Sequence, residues 1–277
     1  MGKGIGLIGN FKGKVGNTVG YKLSASNTGN TQGIRVYQPI VRNPKTSAQA
    51  EQRAKLAPIN ATYRALKMVI DRGNEGLPYG NKSRLAWLKQ AFKAEGMPWF
   101  VKGASINYPV LCQLTKGSLP NVTLNVMEEN ISISCPGVTS ETPVNTIGAV
   151  STLLKGAYDF LKEGDQITII KVGSTVNALS TLVVSFQINS KSAEACALFS
   201  AGQGLLLTVP MDDASIGAVI VSREGDNGEH LRSTSYLVIA DALKADAPYD
   251  ATSKTDAVES YMSSASANSD WAEESIQ

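Results

Sequence analysis

The sequence predicts an α+β fold, mainly β, in which an extended glycine-rich arm and a helical hairpin precede an antiparallel β-sandwich with one inserted helix. Three observations predict it. Glycine alternates with single apolar or basic residues through residues 1–42, apolar residues recur at helical steps up to about residue 95, and from Ser105 short apolar runs are separated by Pro, Gly and Asn. The expected domains are a Gly-rich basic arm (1–42), a basic helical hairpin (43–104), a β-sandwich (105–245) and an acidic, Ser-rich C-terminal tail (246–277). A chain of 277 residues is long enough for two domains, or for one β-rich domain with a substantial extension.

In the arm, Gly13, Gly16 and Gly20 punctuate Val15, Val19 and Tyr21. Glycine weakens regular strands and permits close backbone approach, so short extended pieces joined by turns are expected, needing outside contacts to order. Thr46 then sits three residues before Gln49, the spacing of a capping box. Leu56, Ile59, Tyr63, Leu66 and Ile70 form one apolar helical stripe, which Pro58 should kink or divide and which Gly73 and Gly76 should end. A second helix is expected from about residue 83 to 95, with Leu85, Leu88 and Phe92 on its apolar face.

Strands are expected at 110–114, 122–126, 131–135, 167–172, 182–188, 205–209, 218–222 and 235–239, with a helix over 150–161 between the third and fourth. Asn227-Gly228 signals a hairpin turn. Seven or eight short strands of this kind suggest a sandwich of about 130 residues. Residues 250–277 read as a Ser/Ala/acid tail whose large anchor is Trp271.

Charge is divided along the chain. Residues 1–116 hold 18 Lys+Arg against 4 Asp+Glu, and residues 117–277 hold 8 against 20, so +14 faces −12 within a formal total of +2. Such a dipole asks for a partner at each end, because like-charged surfaces repel while opposite ends of two copies attract. The candidate partner-binding residues are Lys12, Lys14, Lys22, Arg35, Arg42, Lys45, Arg53, Lys55 and Trp271. A protein partner is favoured over nucleic acid for the basic residues, and a merely solvated surface comes third.

No other pattern competes with charge. Gly4-Ile5-Gly6-Leu7-Ile8-Gly9 satisfies GxGxxG but lacks the preceding strand, the following helix and the later acidic residue of a dinucleotide site. His230 is the one histidine and is expected at an exposed strand end. Asp212-Asp213, Glu128-Glu129 and Glu273-Glu274 read as solvated turn or tail acids. Cys112, Cys135 and Cys196 lack metal or disulfide spacing and read as buried thiols. Neither a secretory signal nor a membrane-spanning run is legible. No catalytic residue, metal site, cofactor or small-molecule substrate is therefore expected.

The stretch Gly9-Asn10-Phe11-Lys12-Gly13-Lys14-Val15-Gly16-Asn17-Thr18-Val19-Gly20, followed by Arg42-Asn43-Pro44-Lys45-Thr46, Gln49 and Gln52-Arg53-Ala54-Lys55, resembles an uncharacterised domain family common in Bacteroidota and their phages. The resemblance is specific over about the first 60 residues. It continues in outline to Gly217-Ala218-Val219-Ile220-Val221-Ser222 and Ser233-Thr234-Ser235-Tyr236-Leu237, which look like that family's closing hairpin, whereas the acidic tail has no counterpart. The unsignalled phage form looks like a virion structural protein of crAss-like phages. This implies a viral tail ring subunit and homo-oligomer, assembled in the host bacterial cytoplasm, contacting portal-proximal or tail proteins and at most weakly and nonspecifically DNA. A DNA-binding head or cargo protein is the alternative, and a head fibre or cell-surface binding module is a further one.

Overall fold

A computed structural model describes residues 13–15, 17–22, 32–37, 46–127, 131–174, 178–202, 204–208, 214–225, 228–244 and 247–263. The chain divides into two units, Met1–Pro44 and Lys45–Gln277. In the first, β1 (Gly13–Val15), β2 (Thr18–Lys22) and β3 (Gln32–Val36) form a three-stranded antiparallel sheet in that order. Its register sets Gly13 opposite Gly20, and Gly20 opposite Ile34.

The second unit opens with α1 (Ser47–Ala65). The Thr46 hydroxyl accepts from the Gln49 N–H at 3.4 Å, the N-cap that the sequence announced. Contrary to expectation, α1 continues through Pro58 as one helix, and the division comes at Leu66, whose φ of −110° and ψ of 22° leave the helical region before α2 (Lys67–Ile70). Thr62 stabilises the Pro58 turn, donating to the Pro58 carbonyl at 2.9 Å and accepting from the Val110 N–H at 2.9 Å. Leu56, expected on the buried stripe, is exposed, while Ala50, Ala54, Pro58, Ile59 and Thr62 are buried.

In α3 (Asn81–Ala91) the buried face is Ser83, Trp87 and Ala91. Leu85 is 49% exposed, while Leu88 and Phe92 are only partly buried, which corrects the apolar face expected for this helix. The reason is shape. Small residues one turn either side of the indole let the helix pack closely, and the Ser83 hydroxyl donates to the Ile70 carbonyl at 2.7 Å.

The remaining elements are β4 (Gln113–Thr115), β5 (Leu124–Val126), β6 (Ile131–Ser134), α4 (Ile147–Ala157), β7 (Gln166–Ser174), β8 (Leu179–Gln187), β9 (Phe199–Gly202), β10 (Leu205–Thr208), β11 (Ala214–Glu224), β12 (His230–Arg232), β13 (Ser235–Tyr236), β14 (Val238–Ile239), α5 (Asp241–Lys244) and α6 (Ala251–Ser263). They build a four-stranded sheet, β5-β6-β10-β9, and a five-stranded sheet, β12-β11-β7-β8 with β14 also on β11. A two-stranded sheet joins β13 to β4, and every strand pairing described is antiparallel. Helix and strand each take about 30% of the described residues, a mixed α/β composition with several antiparallel sheets, compatible with the expected class.

Strand alternation places the core. Ile170 and Val172 of β7, with Ile216, Ala218 and Ile220 of β11, join α1, α3 and α6 residues in one apolar cluster. Ile167, Ile169, Val219 and Val221 point the other way, into a second cluster with Ile131 and Ile133 of β6, Leu206 of β10 and Val150 and Leu154 of α4. Gly217 marks how closely β6 approaches there, since a Cβ at this position would lie 2.3 Å from Ile131 Cδ1.

Two strands, β9 and β12, were not read from the sequence. Residues 251–263, expected as tail, form α6, whose Ala257 is fully buried in the helix-side cluster. The Asp250 carboxylate accepts from the N–H groups of Thr252 and Ser253 at 3.1 and 3.3 Å, an N-cap legible in the sequence but passed over. The β11–β12 hairpin forms at the Asn-Gly signal, with Gly228 at φ 74°. Gly4 to Gly9, Glu128-Glu129, Asp212-Asp213 and Glu273-Glu274 lie outside the described residues.

Candidate interaction surfaces

Of the nominated residues, Lys12, Arg42, Lys45 and Trp271 lie outside the described residues. Lys14, Lys22 and Arg35 are on strands of the first unit, where the register sets Lys14 and Arg35 each opposite Val19, and Lys22 opposite Gln32. Only Arg53 and Lys55 come together on one element, α1. Arg53 is exposed. Lys55 is half-buried and engaged internally: its ammonium pairs with Glu51 at 2.9 Å and stands 5.7 Å from the Trp99 ring centroid. Lys254 of α6 meets the same two groups, at 3.3 and 5.2 Å. Lys254 therefore ties α6 to α1 through Glu51, and the Lys55 hydrogen bond, the largest contribution, holds the Glu51 carboxyl below its usual range.

The solvent faces of α1 and α3 carry, besides the nominated Arg53, cations that the sequence patterns did not single out. On α1, Arg53, Leu56 and Arg64 are exposed at positions that fall on one face. On α3, Lys82, Leu85 and Lys89 do the same, and exposed Lys93 continues the row just past the helix end. Lys82 and Lys89 are separated by about 10 Å along the axis. None of Arg53, Arg64, Lys82, Lys89 and Lys93 forms an ion pair among the described residues. The signal was present as the i, i+3, i+7 spacing of Lys82, Leu85 and Lys89, hidden because Leu85 was assigned to the core.

A polar groove of about 1080 Å³ opens between the turn after α2 and the ends of β7, β8, β11 and β12. Arg72, Tyr79, Gln166, Gln187, His230 and Arg232 are among its lining. The expected exposed position of His230 is observed, and the groove beside it was not foreseen. One wall is fixed by Arg223, whose Nε and Nη2 donate to the two carboxylate oxygens of Asp165 at 2.6 and 2.7 Å, with Nη2 also 2.7 Å from the Phe160 carbonyl. Asp165 is 1% exposed, and its hydrogen bond raises the already high guanidinium pKa.

The opposite wall depends on Glu75. Its carboxylate accepts from the N–H groups of Ser118 and Arg232 at 2.9 and 3.1 Å and from the Ser118 hydroxyl at 2.8 Å. Burial alone would raise this carboxyl, but those donors more than offset it and hold it below the usual carboxylate range. Gly117 makes the arrangement possible, because a Cβ there would lie 2.0 Å from the Arg232 carbonyl oxygen.

The three thiols are free and buried, and burial pushes Cys112 up to about 12, so its reactive thiolate form is suppressed. Among the described residues no group of three His, Cys, Asp or Glu is placed to hold a metal ion, and no helix is long and apolar enough to cross a membrane. No protein-family model, no curated protein and no solved structure matches the chain.

Proposed function

We propose that this chain is a structural virion protein of a tailed phage, a tail ring subunit that assembles by head-to-tail contacts near the portal. The observation that carries the reading is the opposite charge of the two parts of the chain, +14 over residues 1–116 and −12 over the rest. The basic part bears unpaired exposed cations on the solvent faces of α1 and α3, as a heterologous contact with an acidic neighbour requires. Each interface need only be modest, because ring closure makes the contacts multivalent. The resemblance of the first 60 residues to the uncharacterised Bacteroidota and phage domain family, whose unsignalled phage form looks like a crAss-like phage virion protein, supports the same role, structural rather than catalytic, with assembly into the virion.

The finer reading of the fold also belongs to this proposal. The four- and five-stranded sheets share one apolar cluster, and we read them as the two layers of the β-sandwich wall of the ring. A second reading, a DNA-binding head or cargo protein, is favoured by the Lys82, Lys89 and Lys93 row, whose flexible ammonium groups could follow a phosphate backbone.

Native mass measured at low and high salt, with duplex DNA in a parallel sample, tests both. The ring reading expects a discrete large oligomer without DNA that dissociates as salt rises. A monomer that shifts only with DNA, its affinity falling steeply with salt, overturns it in favour of the DNA binder.

A further inference from the structure

The groove beside β12 holds two arginines outside any ion pair among the described residues, Arg72 and Arg232, together with the carboxylates of Glu75, Glu224 and Glu229. The nearest carboxylate, Glu75, spends its oxygens on the backbone of Ser118 and Arg232 and on the Ser118 hydroxyl. Arg72 stands over the Tyr79 ring, 5.2 Å from its centroid, a contact that orients the guanidinium without cancelling its charge. Arg232 is half-buried, and its proton affinity is lowered first by that burial and then by the charge of Arg72, with Glu75 compensating in part. Two guanidiniums on the lining of one groove, one of them half-buried, are stabilised by an anion held between them.

The surroundings set where such an anion fits. Gln166 and Gln187 face each other in the β7–β8 register on the same lining; the Gln187 amide donates to the Gly164 carbonyl at 3.1 Å and keeps one further N–H. Glu224 and Glu229 belong to the far part of the groove: Glu224 pairs with His230, two residues along β12 from Arg232 and about 7 Å away. Both are exposed, so solvent screens their opposition.

We infer that Arg72 and Arg232 form a binding subsite for an oxyanion, the carboxylate or phosphate group of a ligand that lies in this groove. The inference is independent of ring assembly, because it concerns a site within one subunit. Isothermal titration of the full chain at fixed ionic strength, with inorganic phosphate in one arm and glutarate in the other, separates the two sources of the charge. Saturable binding is expected in at least one arm, weakened about tenfold or more by Arg72→Gln and by Arg232→Gln, and unchanged by Lys102→Gln, which removes an exposed cation outside the groove. Arg72 is exposed, so its variant keeps the test valid even if Arg232→Gln fails to fold. Absence of saturable binding in both arms, or equal affinity in wild type and Arg72→Gln, overturns the assignment.

Discussion

The two apolar clusters on either side of β7 and β11 are built from different chemistry. The sheet-side cluster is dominated by Ile, Val, Leu and Phe, with Phe186 and Phe199 edge to face at 5.4 Å. On the helix side, large groups such as Trp87, Met97 and Trp99 are set among Ala54, Ala91, Ala218 and Ala257. Buried polar groups key that side together: Thr62 to Val110, Ser83 to Ile70, and Asp71 to Tyr63 and Lys67. Apolar packing dominates the sheet side, where Ser151 and Asp165 add buried polar contacts, whereas directional bonds run through the core that holds the helices carrying the exposed cations. A surface meant to meet a partner in fixed register benefits from the second kind of core, because unsatisfied polar groups penalise every slipped packing.

The largest expected effect tests the anchor of the helix side. Trp87→Ala removes a fully buried indole from between Ser83 and Ala91 and should cost about 3–5 kcal/mol in denaturant unfolding. A loss under about 1 kcal/mol would mean that the helices are held by their polar keys and not by this side chain. On the sheet side the comparable probe adds volume instead. Gly217→Ala forces the new methyl against Ile131, for about 1–3 kcal/mol, and pairing it with Ile131→Val should restore part of the loss, because the obstructing atom is a side-chain terminus. No recovery in the double variant would place the strain in the β7–β11 backbone.

The same contrast explains what the sequence revealed. The apolar, β-branched runs in residues 167–172 and 218–222 announce β7 and β11, because both faces are apolar and the strands are long. The inserted helix α4 and the Asn-Gly hairpin were legible for similar local reasons. Ile59, Tyr63, Leu66 and Ile70 were legible as a stripe, but the alanines, serine and threonine that complete the buried faces of α1 and α3 were not, nor was the exposure of Leu56 and Leu85. Strands β9 and β12 are short and mixed in polarity, so each depends on its neighbour. Of the candidate surfaces, the net positive charge of the helical region could be counted in the sequence. The groove could not, because Arg72 and Arg232 are brought together by a turn and a strand far apart in the chain.

Acid should weaken the polar keys of the helix side first. Burial would raise the Asp71 carboxyl, but hydrogen bonds from Lys67 and Tyr63 more than offset it, so its folded pKa lies below the usual carboxylate range. A depressed carboxyl contributes stability in full above its unfolded pKa and loses it as pH falls through the folded one. Asp71→Asn should therefore be less stable than wild type at neutral pH, by about 1–3 kcal/mol, and the gap should narrow below about pH 4. A gap that stays constant with pH would assign the loss to hydrogen-bond geometry and not to charge.

The smallest effect on stability is expected where the effect on assembly is greatest. Lys82, Lys89 and Lys93 are exposed and in no ion pair among the described residues, so reversing all three should change unfolding free energy by about 0.5 kcal/mol or less per site. Under the ring proposal the triple Lys→Glu variant stays folded but runs as a monomer, because the reversed face now repels the acidic surface of its neighbour. A compensating Asp256→Lys, Glu259→Lys change on α6, whose two exposed acids lie on the carboxyl-terminal side of the charge dipole, tests which acidic surface is the partner. Recovery of the oligomer in the combined variant would pair α3 with α6 across the subunit boundary. Assembly lost in the triple variant and not recovered would move the acidic partner elsewhere, and assembly retained would leave the α3 row free for phosphate contacts and favour the DNA-binding reading.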